Sequence, residues 1–295
     1  MSKTPIEFVF LTFGEKTPYH SQLIYSMISL AAHTPVDRPY HFTIITDKPE
    51  FYQWLNGPFS IIEVSDSTLQ TWRGPFDFFW RIKIESILEA VKGKQDHHCV
   101  YFDTDTIAYS NLSPMYEALD NGVNHMHVKE FDFHATNGRT GKKMKKHGLG
   151  KVYGDFELTQ EKAMWNAGVV AISATNSPEK TLAKALVACD AMCEDEMERK
   201  LVEQFSLSLA LQANRIAPAT DWIRHYWGNK PQWNNLITEF FTMIFLKGKN
   251  FDEAIDLFKL QSHNIPDVVK ETKLEKYQNS VSKRYNKLLG KNESK

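Results

Sequence analysis

Apolar residues in the first hundred positions fall into short continuous runs, separated by segments in which they recur at helical spacing. Four runs rich in Phe, Val, Ile and Thr predict strands, at residues 7–12, 41–46, 61–64 and 99–102. Two segments predict helices, one at about 21–32 and one that carries Ile84, Ile87, Leu88 and Val91 on a single face. This alternation predicts an α/β fold with a mostly parallel open sheet and helices on both of its faces.

The second half of the chain begins with a segment of different character, residues 127–162. It is rich in glycine and contains the basic run 142–146, so we predict a long mobile loop. Such a loop serves either as a lid or acceptor-binding element or as a plain surface excursion. Beyond it, residues 167–173 predict another buried strand, and residues 178–193 and 197–213 predict two helices.

The pattern changes again near Pro266, which divides the chain into a main domain, 1–265, and a basic helical tail, 266–295. In the tail, eight cations outnumber the acidic groups, and apolar side chains recur at helical spacing at Tyr277, Val281, Tyr285 and Leu288. A basic amphipathic helix of this kind predicts either peripheral contact with an anionic membrane surface or a solvated terminal helix.

Composition narrows the class of protein. The 295 residues contain 35 Lys and Arg against 36 Asp and Glu, and this balance gives no reason to expect a nucleic-acid partner. The three cysteines form no zinc set with nearby His or Cys, which favours reduced thiols in a cytoplasmic protein. No signal peptide is visible at the N-terminus, and no apolar run is long enough to span a bilayer.

Asp103 and Asp105 are the most informative polar residues, because they follow the predicted strand 99–102 directly. In open α/β sheets, ligands bind outside the carboxyl ends of the strands. Two hard oxygen ligands there suit Mg²⁺ or Mn²⁺, and these ions suit phosphate oxygens. The pair predicts a metal-assisted site for a phosphorylated or nucleotide substrate, although Asp-x-Asp at a turn is also typical of a solvated loop or a helix cap.

Other patches supply polar groups that fit such a site. In chain order they are Arg81 with Lys83, Asn166, Glu203 with Gln204, and His225 with Gly228 and Lys230. Asn166 offers both a donor and an acceptor to sugar hydroxyls. His225 is a candidate metal ligand, and Lys230 is a cation that could meet a diphosphate.

Taken together, these patches resemble one family. The chain resembles the GT-A-fold (Rossmann-like) glycosyltransferases of the retaining group that contains glycogenin and the bacterial lipopolysaccharide galactosyltransferases. The resemblance extends from about Phe8 to Trp233. The matching pieces follow the family's order: Leu11-Thr12 with Tyr19, Arg81-Ile82-Lys83, residues 100–106, residues 165–169, Glu203-Gln204, and residues 225–231.

The resemblance implies a role for each matching residue. Asp103, Asp105 and His225 would bind the divalent metal, Mn²⁺ or Mg²⁺. Donor binding would fall to Leu11, Thr12 and Tyr19 at the nucleoside, to Gly228 and Lys230 at the diphosphate, and to Arg81, Lys83 and Asp103 elsewhere on the donor. The catalytic set would be Asn166, Glu203 and Gln204, around the donor sugar.

The implied activity is metal-dependent transfer of a sugar from a nucleotide-diphosphate donor, with UDP-sugars favoured, to a glycan, glycolipid or other hydroxyl acceptor. Gln204 is a poor nucleophile, so same-face attack by the acceptor, with retention, is the simpler mechanism. Several departures indicate a distant branch of the family. Glu203 replaces the usual Asp, the spacing from Gly228 to Lys230 is one residue short, Trp233 is displaced from the position after the Pro, and the loop before Tyr19 is longer than in bacterial members.

Two other functions remain open at the level of sequence. Asp-Thr-Asp after an apolar strand also occurs in haloacid-dehalogenase phosphohydrolases, although Ile107 occupies a position where that motif has Thr or Val. The other is a non-catalytic nucleotide-sugar or glycan binder on the same fold. Against it stands the joint presence of the Asp pair, His225 and Lys230, since a binder needs no apparatus for a leaving group.

Overall fold

The computed structural model describes residues 3–136 and 138–261, and the predicted tail, 266–295, lies outside this part of the chain. The strands are β1 Ile6–Leu11, β2 Tyr40–Thr46, β3 Phe59–Glu63, β4 His98–Phe102, β5 Thr106–Ala108, β6 Asn124–Met126, β7 Lys129–Asp132, β8 Val152–Tyr153, β9 Phe156–Glu157, β10 Ala163–Trp165, β11 Val169–Ile172, β12 Ile216–Pro218 and β13 Ile223–His225. The helices are α1 Thr17–His33, α2 Asp66–Trp72, α3 Arg81–Val91, α4 Ser113–Asp120, α5 Arg139–Gly148, α6 Pro178–Glu194, α7 Val202–Leu211, α8 Lys230–Leu246 and α9 Phe251–Gln261.

The centre of the molecule is a seven-stranded, mostly parallel sheet with strand order β3-β2-β1-β4-β11-β6-β12. Strand β11 runs antiparallel to both of its neighbours, β4 and β6, while the other pairs are parallel. The register pairs Phe10 with Phe102, and Phe102 with Val169. The end of β1, the end of β4 and the beginning of β11 therefore meet at one edge of the sheet.

Helices cover both faces of this sheet, as the alternation of strands and helices predicts. Along β1, Phe8 and Phe10 point into a core shared with α1, α4, α8 and α9, whereas Val9 points into a core shared with α3, α6 and α7. Because both faces are buried, these strands read as continuous apolar runs. The mixed α/β fold is confirmed.

Residues 127–162 do not form the single long loop that their composition predicts. They contain β7, α5 and the β8–β9 hairpin. In α5 the buried positions are Gly141, Met144 and Gly148, while the lysines face outward. With three buried residues among many cations, the apolar periodicity of this segment is weak, and the sequence does not predict the helix.

No helix in the described part of the chain combines the length and apolar character needed to cross a membrane.

Candidate metal and ligand site

Asp103 and Asp105 lie on a tight connection between β4 and the short strand β5. The backbone N–H of Asp103 donates to the carbonyl of Gly168 at 2.9 Å, and the Thr106 hydroxyl donates to the carbonyl of Asp103 at 2.8 Å. These bonds fix the turn at the carboxyl end of β4. The side chain of Asp103 is 26% exposed, whereas Asp105 is buried.

His225 reaches this turn because β13 pairs with β5. The antiparallel register places His225 opposite Thr106, and the next backbone N–H, from Tyr226, donates to the carbonyl of Asp105 at 3.0 Å. The imidazole Nε2 lies 3.3 Å from Asp105 Oδ1 and 4.0 Å from Asp103 Oδ2. A residue 120 positions farther along the chain thereby joins the Asp pair.

Asp103, Asp105 and His225 form a group that could hold a metal ion. One ligand atom from each residue lies within 4.8 Å of the others. Cis ligands of an ion with bonds of about 2.1 Å are roughly 3 Å apart, and trans ligands are roughly 4.2 Å apart, so the spacing fits with small adjustments. Two carboxylates and one imidazole also suit a divalent cation of intermediate hardness.

Lys230 balances part of the negative charge of the Asp pair. As the first residue of α8, it places Nζ 2.7 Å from Asp105 Oδ2. Burial by itself raises the pKa of Asp105, but the hydrogen bond from His225 and the charges of His225 and Lys230 outweigh it and hold the pKa below its usual range. Asp105 is therefore an anion at neutral pH.

Lys83 forms a second charged cluster beside Asp103. Its Nζ lies 3.0 Å from Asp103 Oδ1 and 3.2 Å from Glu203 Oε1, and it also lies over the ring of Tyr101. Burial favours the neutral amine, but the two carboxylates raise the pKa of Lys83 above its ordinary value. Burial also raises the pKa of Glu203, against the opposing charge of Lys83. The cluster fixes an ammonium in direct contact with Asp103, one of the three candidate metal ligands.

Asn166 and Gln204 converge on Glu130, a residue that the sequence did not single out. The amide of Asn166 donates to Glu130 Oε1 at 3.0 Å, and the amide of Gln204 donates to Glu130 Oε2 at 3.1 Å. Asn166 Oδ1 also lies 3.2 Å from His225 Nδ1. Glu130 is an exposed residue of β7, so its carboxylate is both oriented and accessible.

Gly168 makes room for this arrangement. A Cβ at this position would lie 2.4 Å from His225 Nδ1 and 3.0 Å from Asn166 Oδ1. Any side chain at residue 168 would therefore displace the imidazole from the Asp pair.

The remaining predicted donor-binding residues lie at different distances from the cluster. Leu11 ends β1 beside the β4–β5 turn, and the buried Thr12 follows it, with its backbone N–H donating to the carbonyl of Ile45 at 3.0 Å. The exposed ring of Tyr19 lies 6.0 Å from Lys230 Nζ. Arg81 points elsewhere: its guanidinium donates to Asp190 on α6 and to Glu85 on its own helix, so its side chain braces α3 against α6.

A cleft of ≈ 480 Å³ opens beside the cluster. Among its lining residues are His127, Glu130, Asn166, His225, Trp227 and Gly228. Burial, followed by the charge of His225, lowers the pKa of His127 to about 4, so this ring is neutral at physiological pH. The Trp227 side chain is 46% exposed, which leaves an aromatic face at the mouth.

The structure thus brings most of the predicted site residues together, whereas Arg81 points away from them. The residues that converge are Asp103, Asp105, His225, Lys230, Lys83, Glu203, Asn166, Gln204, Tyr19 and Gly228, and Leu11 and Thr12 lie at the neighbouring end of β1. Glu130 and His127 lie in residues 127–162, whose composition predicts a loop, so no sequence signal singles them out. The only sequence signal for Gly168 is its place in the Asn-Ala-Gly turn. No family model matches this chain, and no curated protein matches it.

Proposed function

We propose that this chain is a GT-A-type glycosyltransferase that moves a sugar from a nucleotide-diphosphate donor, with a UDP-sugar favoured, to a hydroxyl acceptor. The observation that carries the proposal is the convergence of Asp103, Asp105 and His225 with Lys230 at the carboxyl edge of the sheet. A metal set beside a lysine is the apparatus that a leaving diphosphate requires.

The metal-binding residues would be Asp103, Asp105 and His225, and Mn²⁺ or Mg²⁺ is the ion that suits them. When bound, the ion supplies Lewis-acid stabilisation of the negative charge on the departing diphosphate. Lys230 adds a cation at the same edge, and its side chain is 37% exposed and therefore accessible to an anion.

The donor sugar would lie over Asn166 and Gln204. Both side-chain amides are fixed by hydrogen bonds. The side-chain oxygen Oε1 of Gln204 also accepts a hydrogen bond from the backbone N–H of Ala167 at 3.3 Å. Glu130, which both amides orient, would accept a hydrogen bond from a sugar hydroxyl or from the attacking acceptor. This arrangement argues against a covalent glycosyl-enzyme intermediate, because both oxygens of the Glu130 carboxylate already accept amide hydrogen bonds. Same-face attack by the acceptor is then the step that would give retention.

A haloacid-dehalogenase phosphohydrolase is less well supported. In that chemistry the first Asp attacks phosphorus, so its carboxylate must face the substrate without competition. Here Oδ1 of Asp103 accepts a hydrogen bond from the Tyr101 hydroxyl and forms an ion pair with Lys83 Nζ, and both contacts compete with such an attack.

Calorimetric titration of UDP into the protein, with and without Mn²⁺, tests the proposal. We expect UDP affinity to depend on the metal and to be lost in Asp105→Asn. Asp120→Asn is the matched control, because it removes a carboxylate whose ion pair with Arg38 lies at the opposite end of β4.

Donor turnover separates an enzyme from a binder. We expect slow, metal-dependent hydrolysis of a UDP-sugar by the wild type and none by Asp105→Asn. UDP affinity without any hydrolysis or transfer would support a non-catalytic binder. Hydrolysis of a generic phosphomonoester, without turnover of any UDP-sugar, would refute the assignment in favour of a phosphohydrolase.

A further inference from the structure

A second cavity, of ≈ 710 Å³, lies away from the Asp103–Asp105 cluster, between α1, α8 and the 3₁₀ turn Pro49–Tyr52. Thr17, His20, Ser21 and Ile24 recur at helical spacing on one face of α1. Phe241, Ile244, Phe245 and Gly248 recur in the same way along α8 and just beyond its end. Two helix faces therefore form the walls of a groove, which we call the α1–α8 groove.

The α1–α8 groove has large aromatic residues in its walls, and two of them are well exposed in the part of the chain that the structure describes. Trp54 meets Phe241 edge-to-face at 6.4 Å, and Phe51 lines the same side. Trp54 is 45% exposed and Phe245 is 83% exposed. The apolar stripe of α8 is wider than the part that packs against the core, so the excess faces the groove.

Three polar side chains of the groove, those of His20, Ser21 and Lys249, already have partners, and Thr17 lies at its exposed rim. His20 Nδ1 lies 2.8 Å from the Tyr52 hydroxyl, and its Nε2 lies 2.8 Å from the Gly14 carbonyl. The Ser21 hydroxyl donates to the Thr17 carbonyl, and Lys249 forms an ion pair with Glu253. Inside the groove, a polar ligand would lose most of its hydrogen bonds to water without replacement, whereas a hydrocarbon would lose none.

We propose that the α1–α8 groove binds the hydrocarbon chain of an amphiphile. Its volume lies within the range of small-molecule sites, and its lining is apolar with few polar groups. The helices that form it also begin at the candidate site, since Tyr19 lies in the first turn of α1 and Lys230 is the first residue of α8. Residues 230 and 244 are separated by about 20 Å along a helix, so a lipid-linked acceptor could reach both places. The idea of a lipid-linked acceptor rests on the proposed function, whereas binding of a hydrocarbon chain in the groove does not.

A brominated dodecyl phosphocholine, kept below its micelle concentration, probes the full-length protein. Bromine quenches an indole that it contacts, so we expect saturable quenching in the wild type that is lost in Trp54→Phe. Phe245→Ser should weaken binding by about fivefold or more, because it removes an apolar wall. Val187→Ser is the matched control: Val187 is 57% exposed on α6, outside the groove, and its loss should change nothing.

A chain-length series from eight to twelve carbons gives a second readout. Each added methylene that enters the groove should tighten binding by about fourfold. EDTA and Asp105→Asn should leave the affinity unchanged. Chain binding without metal-dependent UDP binding would therefore sustain this proposal while refuting the glycosyltransferase assignment.

Three results would overturn the proposal. The first is the absence of saturable quenching, or an equal loss in Phe245→Ser and Val187→Ser. The second is a Trp54 fluorescence that acrylamide quenches only after residues 262–295 have been removed. That result would show that the chain's own C-terminal segment occupies the groove. The third is self-association of the wild-type protein that Phe245→Ser abolishes. That result would show that a second copy of the chain occupies the groove.

Discussion

At the scale of single residues, the candidate site depends on small groups as much as on charged ones. Asp103, Asp105 and His225 supply ligand atoms, but Gly168 supplies the space in which the imidazole lies. Glu130 would be an ordinary surface acid without the amides of Asn166 and Gln204. The positions of His225 and Glu130 thus depend on neighbouring residues as much as on their own backbone.

Gly168→Ala tests this dependence. The new methyl group would lie 2.4 Å from His225 Nδ1, so the ring must move away from the Asp pair. We expect Mn²⁺ affinity, measured by calorimetry, to fall by about 10-fold or more. Gly138→Ala is the control, since a Cβ there meets nothing within 4 Å. Equal Mn²⁺ affinity in the two variants would show that His225 is not a ligand.

Lys230→Gln tests the proposed role of this cation at a leaving diphosphate. In that role the charge would matter most as the leaving group departs, so we expect the loss in the transition state. We expect kcat for the donor to fall by about 10²-fold with a smaller change in UDP affinity. The control is Lys184→Gln, which removes an exposed lysine paired with Asp155. A raised KM with unchanged kcat would instead assign Lys230 to ground-state binding.

At the scale of elements, the pairing of β13 with β5 decides the site. Three residue pairs join these strands, and the last pair aligns His225 with Thr106. Just beyond the pair, Tyr226 and Trp233 are fully buried and stack at 4.3 Å with an interplanar angle of 14°. This stack joins the end of β13 to the first turn of α8 and thereby fixes the segment between His225 and Lys230.

Trp233→Ala should therefore affect stability and the site together. Loss of a fully buried Trp costs about 3–5 kcal/mol of the free energy of unfolding, which denaturant titration measures. At temperatures where the variant is still folded, we expect weaker Mn²⁺ binding. Trp233→Phe keeps a ring against Tyr226 and should recover most of both properties. If Trp233→Ala lost stability but kept full Mn²⁺ affinity, the stack would have no role in placing His225.

At the scale of the whole molecule, buried histidines connect stability to pH. His98 Nδ1 accepts the backbone N–H of Ala174 at 2.9 Å, and Nε2 donates to Asp120 at 2.9 Å. Protonation of Nδ1 would remove this acceptor and place its new hydrogen against the N–H of Ala174. Burial lowers the pKa of His98 and also that of His125, against weaker hydrogen bonds and charges that raise them.

We therefore expect the protein to lose stability in mild acid. The unfolded chain takes up protons near pH 6.5, whereas folded His98 and His125 take them up only at lower pH. The free energy of unfolding should then fall as the pH drops from about 7.5 to 5.5, a window above the ordinary pKa of a carboxyl group. Thermal melts at several pH values measure the slope. His98→Asn should flatten it, because an amide oxygen can accept the Ala174 N–H without titrating, whereas the exposed His134→Asn should not.

The sequence by itself determined the layers of the fold and the position of the Asp pair. Runs such as residues 99–102 are apolar because both faces of the sheet are buried, and this pattern is local. Asp103 and Asp105 were identifiable because they follow such a run directly. Helix α5 was not, since only Gly141, Met144 and Gly148 of its ten residues are buried.

Only the tertiary structure decided which distant residues share the site. His225 meets Asp105 through strand pairing, and Glu130 meets Asn166 and Gln204 across the cleft, while Arg81 is drawn away to Asp190. No local pattern encodes these contacts, because they depend on how separate elements pack rather than on the order of residues within one element. Local periodicity follows from burial of a single strand or helix face, but the meeting of side chains follows from the packing of the whole chain.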